Sequence, residues 1–363
     1  STLGHYQGCQ LLFTISRRLK SVFTGEYYLA RIGGDEFAIY IPEQQNGESA
    51  LQTANRVLNT FASPFVMEQE SVVVSVSIGI VENGPDENMT LWLRNGSIAL
   101  SNAKQDLTSI SHYRPEMADI SRNRTLMQVK IKDALEHNEF VPFYQPLVDL
   151  KTGEVVGAEA LARWLSPSAG LVSPMDFIPI AEESGLIGAI GEQILLQACN
   201  DTVQGMKEGK WDSSFHIHVN LSVNQLSQPD FISTLQKVLA QSTLSANNLT
   251  LEITESRIVD NDPVTIQNMQ AIRDLGVHIA IDDFGTGYSS LAYLHKLPFN
   301  CLKIDRTFVN NLNPEELDTS IVAAIVNMTK GMKVSLIAEG IETDEQAKLL
   351  SKLNCPLGQG FLY

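Results

Sequence analysis

Over the last two thirds of the chain, strand-like runs alternate with helical periods in a steady βα order, and this limits the possible folds more than any other feature. The runs fall near 141–149, 155–164, 215–220, 249–254, 277–282, 300–304, 334–338 and 355–362. That order implies mostly parallel pairing. Eight such strands in about 220 residues is the size of one (β/α)8 barrel. An open, doubly wound sheet is the alternative, but it would not bring all the strand ends around one site. Helix starts are well marked: Ser173-Pro174 supplies an N-cap and an N1 proline, and Thr343 with Gln346 forms a capping box.

Seven of these runs end in residues able to hold a metal or work on a phosphate. They are Glu159, Asn220, Glu252, the pair Asp282-Asp283, Lys303, Glu339 and Gln359. In a (β/α)8 barrel the C-terminal strand ends meet on one face, so residues far apart in sequence converge there. A mouth of carboxylates with amide and amine groups suits two-metal phosphoryl chemistry. Without cations such a cluster would repel itself and stay partly protonated. Solvated charges that happen to follow strands would explain one or two of these positions but not the series.

The bulk numbers set outer limits. A length of 363 residues points to two domains, and 44% hydrophobic content is ample for buried cores. No run of 18 or more apolar residues suggests a membrane span, and the first 15 residues lack the pattern of a signal peptide. The four cysteines, Cys9, Cys199, Cys301 and Cys355, are scattered without metal-ligand spacing, and the last three sit in apolar segments. A reducing cytoplasm is expected, either for this chain alone or as the cytoplasmic part of a larger membrane-anchored sensor. The net charge of −16 disfavours duplex nucleic acid and anionic membrane surfaces as partners.

Most of the excess acid lies after a compositional break near 105–125, a polar stretch that carries Pro115. The expected organisation is a small α/β domain over 1–115, a linker at 116–124 and the barrel over 125–363. A helix near 120–137 is predicted from the spacing of Leu126, Val129, Ala134 and Leu135. Before the break, strands are expected at 28–32, 36–41 and 72–81, and helices at 8–22, 48–62 and 90–105. His216 and His218 share a strand face, where a packed or solvated pair is expected rather than a zinc site.

The motifs EALARW (159–164), VNLS (219–222), LEITES (251–256), IDDFGTGYSSL (281–291), LKID (302–305), AEGIET (338–343) and GQGF (358–361) resemble those of the EAL family of cyclic di-GMP phosphodiesterases, over roughly 125–363. The resemblance implies two Mg2+ or Mn2+ ions. Glu159, Asn220, Glu252 and Asp282 would hold one; Asp282, Asp283 and Glu339 would hold the other, with Asp282 bridging. Hard oxygen donors suit those ions. Neighbouring strand residues point to opposite faces, so Asp282 and Asp283 can both reach metal only where the strand turns into loop, a turn that Gly285 and Gly287 allow. Catalytic roles fall to Lys303, Glu339, Asp283 and Glu159. Lys303 would either take the proton of the attacking water, if its pKa is lowered by cations, or orient that water; pairing with Asp305 is the structural alternative. Leu161, Arg163 and Gln359 are expected to touch substrate. Glu255 is expected to steady the loop 284–291, which the family links to dimerisation, with Asp305 and Glu342 supporting the site from outside.

Residues 31–37 (RIGGDEF), with SVSIG at 75–79 and LSNAK at 100–104, resemble GGDEF domains, the diguanylate cyclases that often precede EAL domains. That resemblance covers about 1–115 and implies a nucleotide site at Gly33, Gly34, Asp35, Glu36 and Lys104. Several positions depart from the family. The chain opens at a segment resembling the one after the family's first strand, so the metal-binding aspartate of that strand is not seen, either because the sequence begins inside the domain or because the domain is eroded. Cys9 stands for a guanine-recognising aspartate, and Thr108 stands for a phosphate-contacting arginine. Thr24 and Tyr27 occupy the ends of the inhibitory motif. A regulatory domain that binds GTP, or a scaffold, is therefore expected rather than a working cyclase. The expected function is metal-dependent hydrolysis of cyclic di-GMP to pGpG by a homodimer, in the bacterial signalling that governs biofilms. The alternatives are a non-catalytic cyclic di-GMP receptor and a bifunctional cyclase/phosphodiesterase.

Overall fold

Only five residues, 150–154, separate the first two barrel strands, β7 (Phe140–Asp149) and β8 (Val155–Ser166). A parallel crossover needs a dozen residues or more, so these two strands must form a hairpin. The computed structural model describes residues 4–42, 48–66, 71–82, 88–105, 108–255, 263–286, 294 and 297–363. In it β7 runs antiparallel to β8, with Gln145 opposite Glu159. Contacts divide the chain into two units, 1–126 and 127–363.

The second unit is a closed barrel. β8 pairs in parallel with β10 (His216–Asn220), followed in order by β11 (Leu249–Thr254), β12 (His278–Phe284), β13 (Cys301–Ile304), β14 (Ser335–Ala338) and β15 (Leu357–Gly358). The ring closes through β7, which is antiparallel to both β15 and β8. The expected barrel is present, with one reversed strand. A short strand, β9 (Gly170–Val172), extends β8 as a second hairpin that the sequence pattern did not reveal. The last predicted strand, 355–362, is reduced to two paired residues.

Alternation along each strand sorts side chains between two environments. Outward residues such as Ile217, Leu251, Ile281 and Leu302 pack into one large apolar cluster with Ile194 of α6 (Ile187–Lys207), Leu235 of α8 (Phe231–Ser242) and Met269 of α9 (Pro263–Asp274). Inward residues Leu147, Ala280, Cys301 and Ile337 form a separate small apolar layer with Leu357. The next inward positions toward the strand ends are Glu159, Glu252, Asp282, Lys303 and Gln359. The same parity that makes the coat apolar thus collects the polar set inside, above an apolar plug. The predicted caps are present: Ser173 Oγ accepts from Met175 N at 3.3 Å, and Thr343 and Gln346 form a reciprocal capping box.

In the first unit, α1 (Gly4–Val22) and α2 (Ala50–Phe61) supply Ile15, Leu19, Val57 and Phe61 to a core closed by Phe23 and Phe65. β1 (Tyr28–Gly33) and β2 (Glu36–Tyr40) form an antiparallel hairpin. The run predicted as one strand at 72–81 appears as β4 (Ser71–Val72), paired with β3 (Phe65–Val66), and β5 (Ile78–Ile80), paired with β6 (Ile110–His112). Val74 and Val76 between them still face the core, because alternation fixes a side chain's face while a ladder also needs a partner strand. α3 covers Met89–Gln105 and α4 Pro115–Glu136, so residues 116–124, expected as a linker, are helical. Among the described residues no helix is long and apolar enough to cross a membrane.

Candidate metal centre at the barrel mouth

Lys303 sits at the middle of the inward polar layer and is fully buried. Its Nζ lies 2.7 Å from Glu252 Oε2, 2.7 Å from Glu339 Oε1, 3.0 Å from Glu159 Oε2 and 3.4 Å from Asp282 Oδ1. Glu159 Oε2 also accepts from Gln359 Nε2 at 2.6 Å, and its Oε1 accepts from Asn220 Nδ2 at 2.6 Å. Residues from several strands thereby meet through one ammonium and two amides. Asp305, weighed as the partner of Lys303, instead caps α10 (Arg306–Asn310), its Oδ1 accepting from Thr307 N at 2.9 Å.

The paired aspartates both reach the mouth because β12 breaks register there. Ile281 pairs with Leu302 and Phe284 with Ile304, so Asp282 and Asp283 together face the single residue Lys303. This is a β-bulge, which adds a residue and re-aims side chains. Asp283 takes a left-handed backbone with φ of 54°, and Gly285 follows with φ of 100°. The hydroxyl of Thr286 donates to Asp283 O at 2.9 Å, and Glu255 Oε2 accepts from Gly285 N at 2.7 Å. A Cβ on Gly285 would stand 2.5 Å from the Phe308 ring, so the turn needs glycine for space as well as for φ. Glu255 thus holds the start of the loop it was expected to steady. Gly287 and residues 288–291 lie outside the described residues.

As a result, one oxygen each from Asp282, Asp283 and Glu339 lie within 4.8 Å of one another, the spacing of a shared cation site. Glu159 and Glu252, assigned to the other ion, are instead turned onto Lys303, Asn220 and Gln359.

The charges explain the need for cations. Burial opposes the Lys303 charge, but Glu252, Glu159, Glu339 and Asp282 outweigh it and hold the amine well above its ordinary pKa. Those carboxylates favour its ammonium form. Burial works against the Glu159 carboxylate too, yet Lys303 and the amide donors bring it down to about 2. One ammonium cannot offset the whole set. Burial, with Asp282 adding repulsion, raises Glu339 to about 8, and the same two causes raise Asp283. Asp282 Oδ1 is buried and, beyond its 3.4 Å ion pair with Lys303, makes no hydrogen bond among the described residues. A buried carboxylate oxygen left over beside two carboxyl groups that resist ionising is a donor set suited to divalent cations.

To one side of this centre, a cavity of about 450 Å3 is lined by residues that include Leu161, Arg163, Pro174, Phe177, Asn220 and Asp283. Leu161 and Arg163, expected to touch substrate, therefore share a concave surface with two proposed ligands. The Arg163 guanidinium donates to Ala162 O at 2.9 Å and lies 5.8 Å from the centre of the Phe143 ring. Glu342 stays outside: it is exposed, and its backbone N–H donates to Gln346 Oε1 at 2.8 Å.

Two residues of the site carry no signal in the local sequence pattern. Gln145 lies on reversed β7, so it reaches the mouth from mid-strand, where its Oε1 accepts from Gln359 Nε2 at 2.8 Å. Only recognising the 150–154 hairpin could have pointed to it. His218 was expected as a packed or solvated residue. It is buried, with Nδ1 2.7 Å from Glu252 Oε1, while His216 stacks on His278 with ring centres 5.6 Å apart. Burial and the nearby Lys303 lower the His218 pKa to about 3, so its ring is neutral.

In the first unit the Gly33–Gly34 turn stands at the hairpin tip, with Gly34 at φ of 44°. Asp35 is exposed, Glu36 half-buried, and Lys104 of α3 lies 3.8 Å from Glu36. Cys9 and Thr108 are both exposed.

Comparison with known proteins assigns both units. The EAL domain family matches residues 128–363, and the diguanylate cyclase GGDEF domain family matches residues 1–109. The chain is 34% identical to the bifunctional diguanylate cyclase/cyclic di-GMP phosphodiesterase MucR of Pseudomonas aeruginosa, over 99% of this chain and 52% of that protein. It is 33% identical to the cyclic di-GMP phosphodiesterase NbdA of the same species, over 100% of this chain and 46% of that protein. The chain thus spans about half the length of these relatives. A solved PaMucR phosphodiesterase in complex with c-di-GMP is 39% identical with a TM-score of 0.61, covering 65% of this chain and 95% of that one.

Proposed function

The chain belongs to the EAL family, with a GGDEF domain ahead of its barrel, and from that premise we propose that the barrel hydrolyses cyclic di-GMP to linear pGpG. The observation that carries this is the convergence of Asp282, Asp283 and Glu339 beside the buried Lys303. In this reading Asp282, Asp283 and Glu339 would hold one Mg2+ or Mn2+, and Glu159, Asn220, Glu252 and Asp282 would hold a second, displacing some of the bonds that Lys303, Asn220 and Gln359 make to Glu159 and Glu252. Bound ions would neutralise the phosphate and lower the pKa of the attacking water. Lys303, as an ammonium, orients the nucleophile and stabilises developing negative charge. Arg163 fixes a phosphate from the rim, and Gln359, whose amide also bonds Gln145, helps Lys303 to orient Glu159. A non-catalytic receptor would not need this set of carboxylates. The direct test is incubation with cyclic di-GMP and divalent metal, followed by product separation. A product that is not the linear dinucleotide, or none at all, would refute the reading.

Arg163 lies at the rim and is not among the proposed ligands, so Arg163→Ala should chiefly raise KM, with kcat within a few-fold of the parent. Steady-state kinetics separate these parameters, and a large fall in kcat with unchanged KM would move Arg163 from binding into catalysis.

For the first unit we propose regulation rather than synthesis. Cys9 and Thr108 replace a base-recognising acid and a phosphate-binding arginine, while Gly33, Gly34, Asp35, Glu36 and Lys104 retain a surface for GTP. MucR is named bifunctional, which keeps synthesis testable. GTP should yield no cyclic di-GMP here, and a GTP titration should change the phosphodiesterase's apparent affinity roughly 5–150-fold if the domains are coupled. Cyclic di-GMP formed from GTP would overturn this assignment; unchanged kinetics with no binding by calorimetry would reduce the unit to a scaffold.

A further inference from the structure

His218 stands one inward position below Asn220 on β10, beneath the carboxylate layer. Its Nδ1 lies 2.7 Å from Glu252 Oε1, and both side chains are almost fully buried. The other oxygen of Glu252 lies 2.7 Å from Lys303 Nζ. With one oxygen held at His218 and the other at Lys303, the plane of the Glu252 carboxyl group is fixed. We propose that His218 is a positioning residue for the metal centre: by holding Glu252 Oε1 it fixes the orientation of a carboxylate proposed as a metal ligand. This inference rests on the proposed metal-dependent function.

The arrangement has the logic of an outer-shell hydrogen bond, in which a ligand is oriented by a partner that never touches the metal. Losing such a partner commonly weakens metal binding by about 10–100-fold. His216, two residues along the same face, is occupied in the stack with His278. The strand partners of His218 are Glu159 on β8 and Thr250 on β11, so its ring lies in the barrel interior at the foot of the cluster.

The contact is through Nδ1, and that decides the test. An asparagine amide nitrogen falls near the position of Nδ1, a glutamine amide near that of Nε2, and leucine offers no donor. Mn2+ binding is measured by calorimetry on the full chain without substrate, and each variant's melting temperature is recorded without metal. His218→Leu and His218→Gln should weaken Mn2+ binding about 10–100-fold, while His218→Asn stays within about 3-fold of the parent. A merely structural role would lower melting in all three without that ranking. Equal Mn2+ affinity for folded His218→Leu and the parent would overturn the inference while leaving the phosphodiesterase reading intact. A parent that binds no Mn2+ would overturn both. If His218→Leu does not fold, the contrast between His218→Asn and His218→Gln decides the same question: equal Mn2+ affinity in those two would overturn the inference.

Discussion

Asp282→Asn is expected to lower the turnover of cyclic di-GMP by about 10³-fold or more, with the fold retained. Asparagine keeps the shape of the side chain, so the bulge of β12 and the left-handed Asp283 should survive. What changes is charge at the point where the two proposed ligand sets meet. Asp282 contributes to the cluster with Asp283 and Glu339, and its Oδ1 also lies 3.4 Å from Lys303. Replacing it puts an amide donor where an acceptor is required and weakens both sets together. Turnover is measured at saturating substrate and metal, with circular dichroism and thermal melting as controls for folding. A folded Asp282→Asn protein with near-parental turnover would show that Asp282 is not a ligand, and the assignment built on its bridging position would fall.

Chelation should have a larger effect still: EDTA should abolish hydrolysis, and excess Mg2+ or Mn2+ should restore it. The physical reason is net charge. Glu159, Glu252, Asp282, Asp283 and Glu339 face one ammonium, and a diester substrate adds further negative charge at the same place. Burial, with Asp282 adding repulsion, already raises Glu339 to about 8, above its ordinary range. Without cations the phosphate would have to approach that surface unassisted. Ca2+ should inhibit, since its bonds of about 2.3–2.6 Å against about 2.0–2.1 Å for Mg2+, and its looser geometry, would misplace the nucleophile. Full activity in EDTA would sink the metal-dependent reading, whatever the Asp282 variant does.

The barrel was legible because alternation is a local property. Runs such as IHVN and LEIT set which residues face the helical coat, and their polar members could only face inward or lie at strand ends. The reversed β7 was in principle legible too, since five residues cannot carry a helical crossover, but the βα rhythm of the later strands hid it. The broken strand at 72–81 was not legible: its alternation is real, and only pairing distinguishes a core-facing segment from a laddered strand.

By itself the sequence determined the strand order, the side of the barrel that bears the chemistry, and the family resemblance of both units. These depend on residue types at fixed local spacing. The tertiary structure decided which groups touch. It turned Glu159 and Glu252 onto Lys303, drew Asp282, Asp283 and Glu339 together through a bulge, and brought Gln145 and His218 in from positions without a sequence signal. Those outcomes depend on register and on the balance of burial against charge, neither of which exists until strands distant in sequence lie side by side.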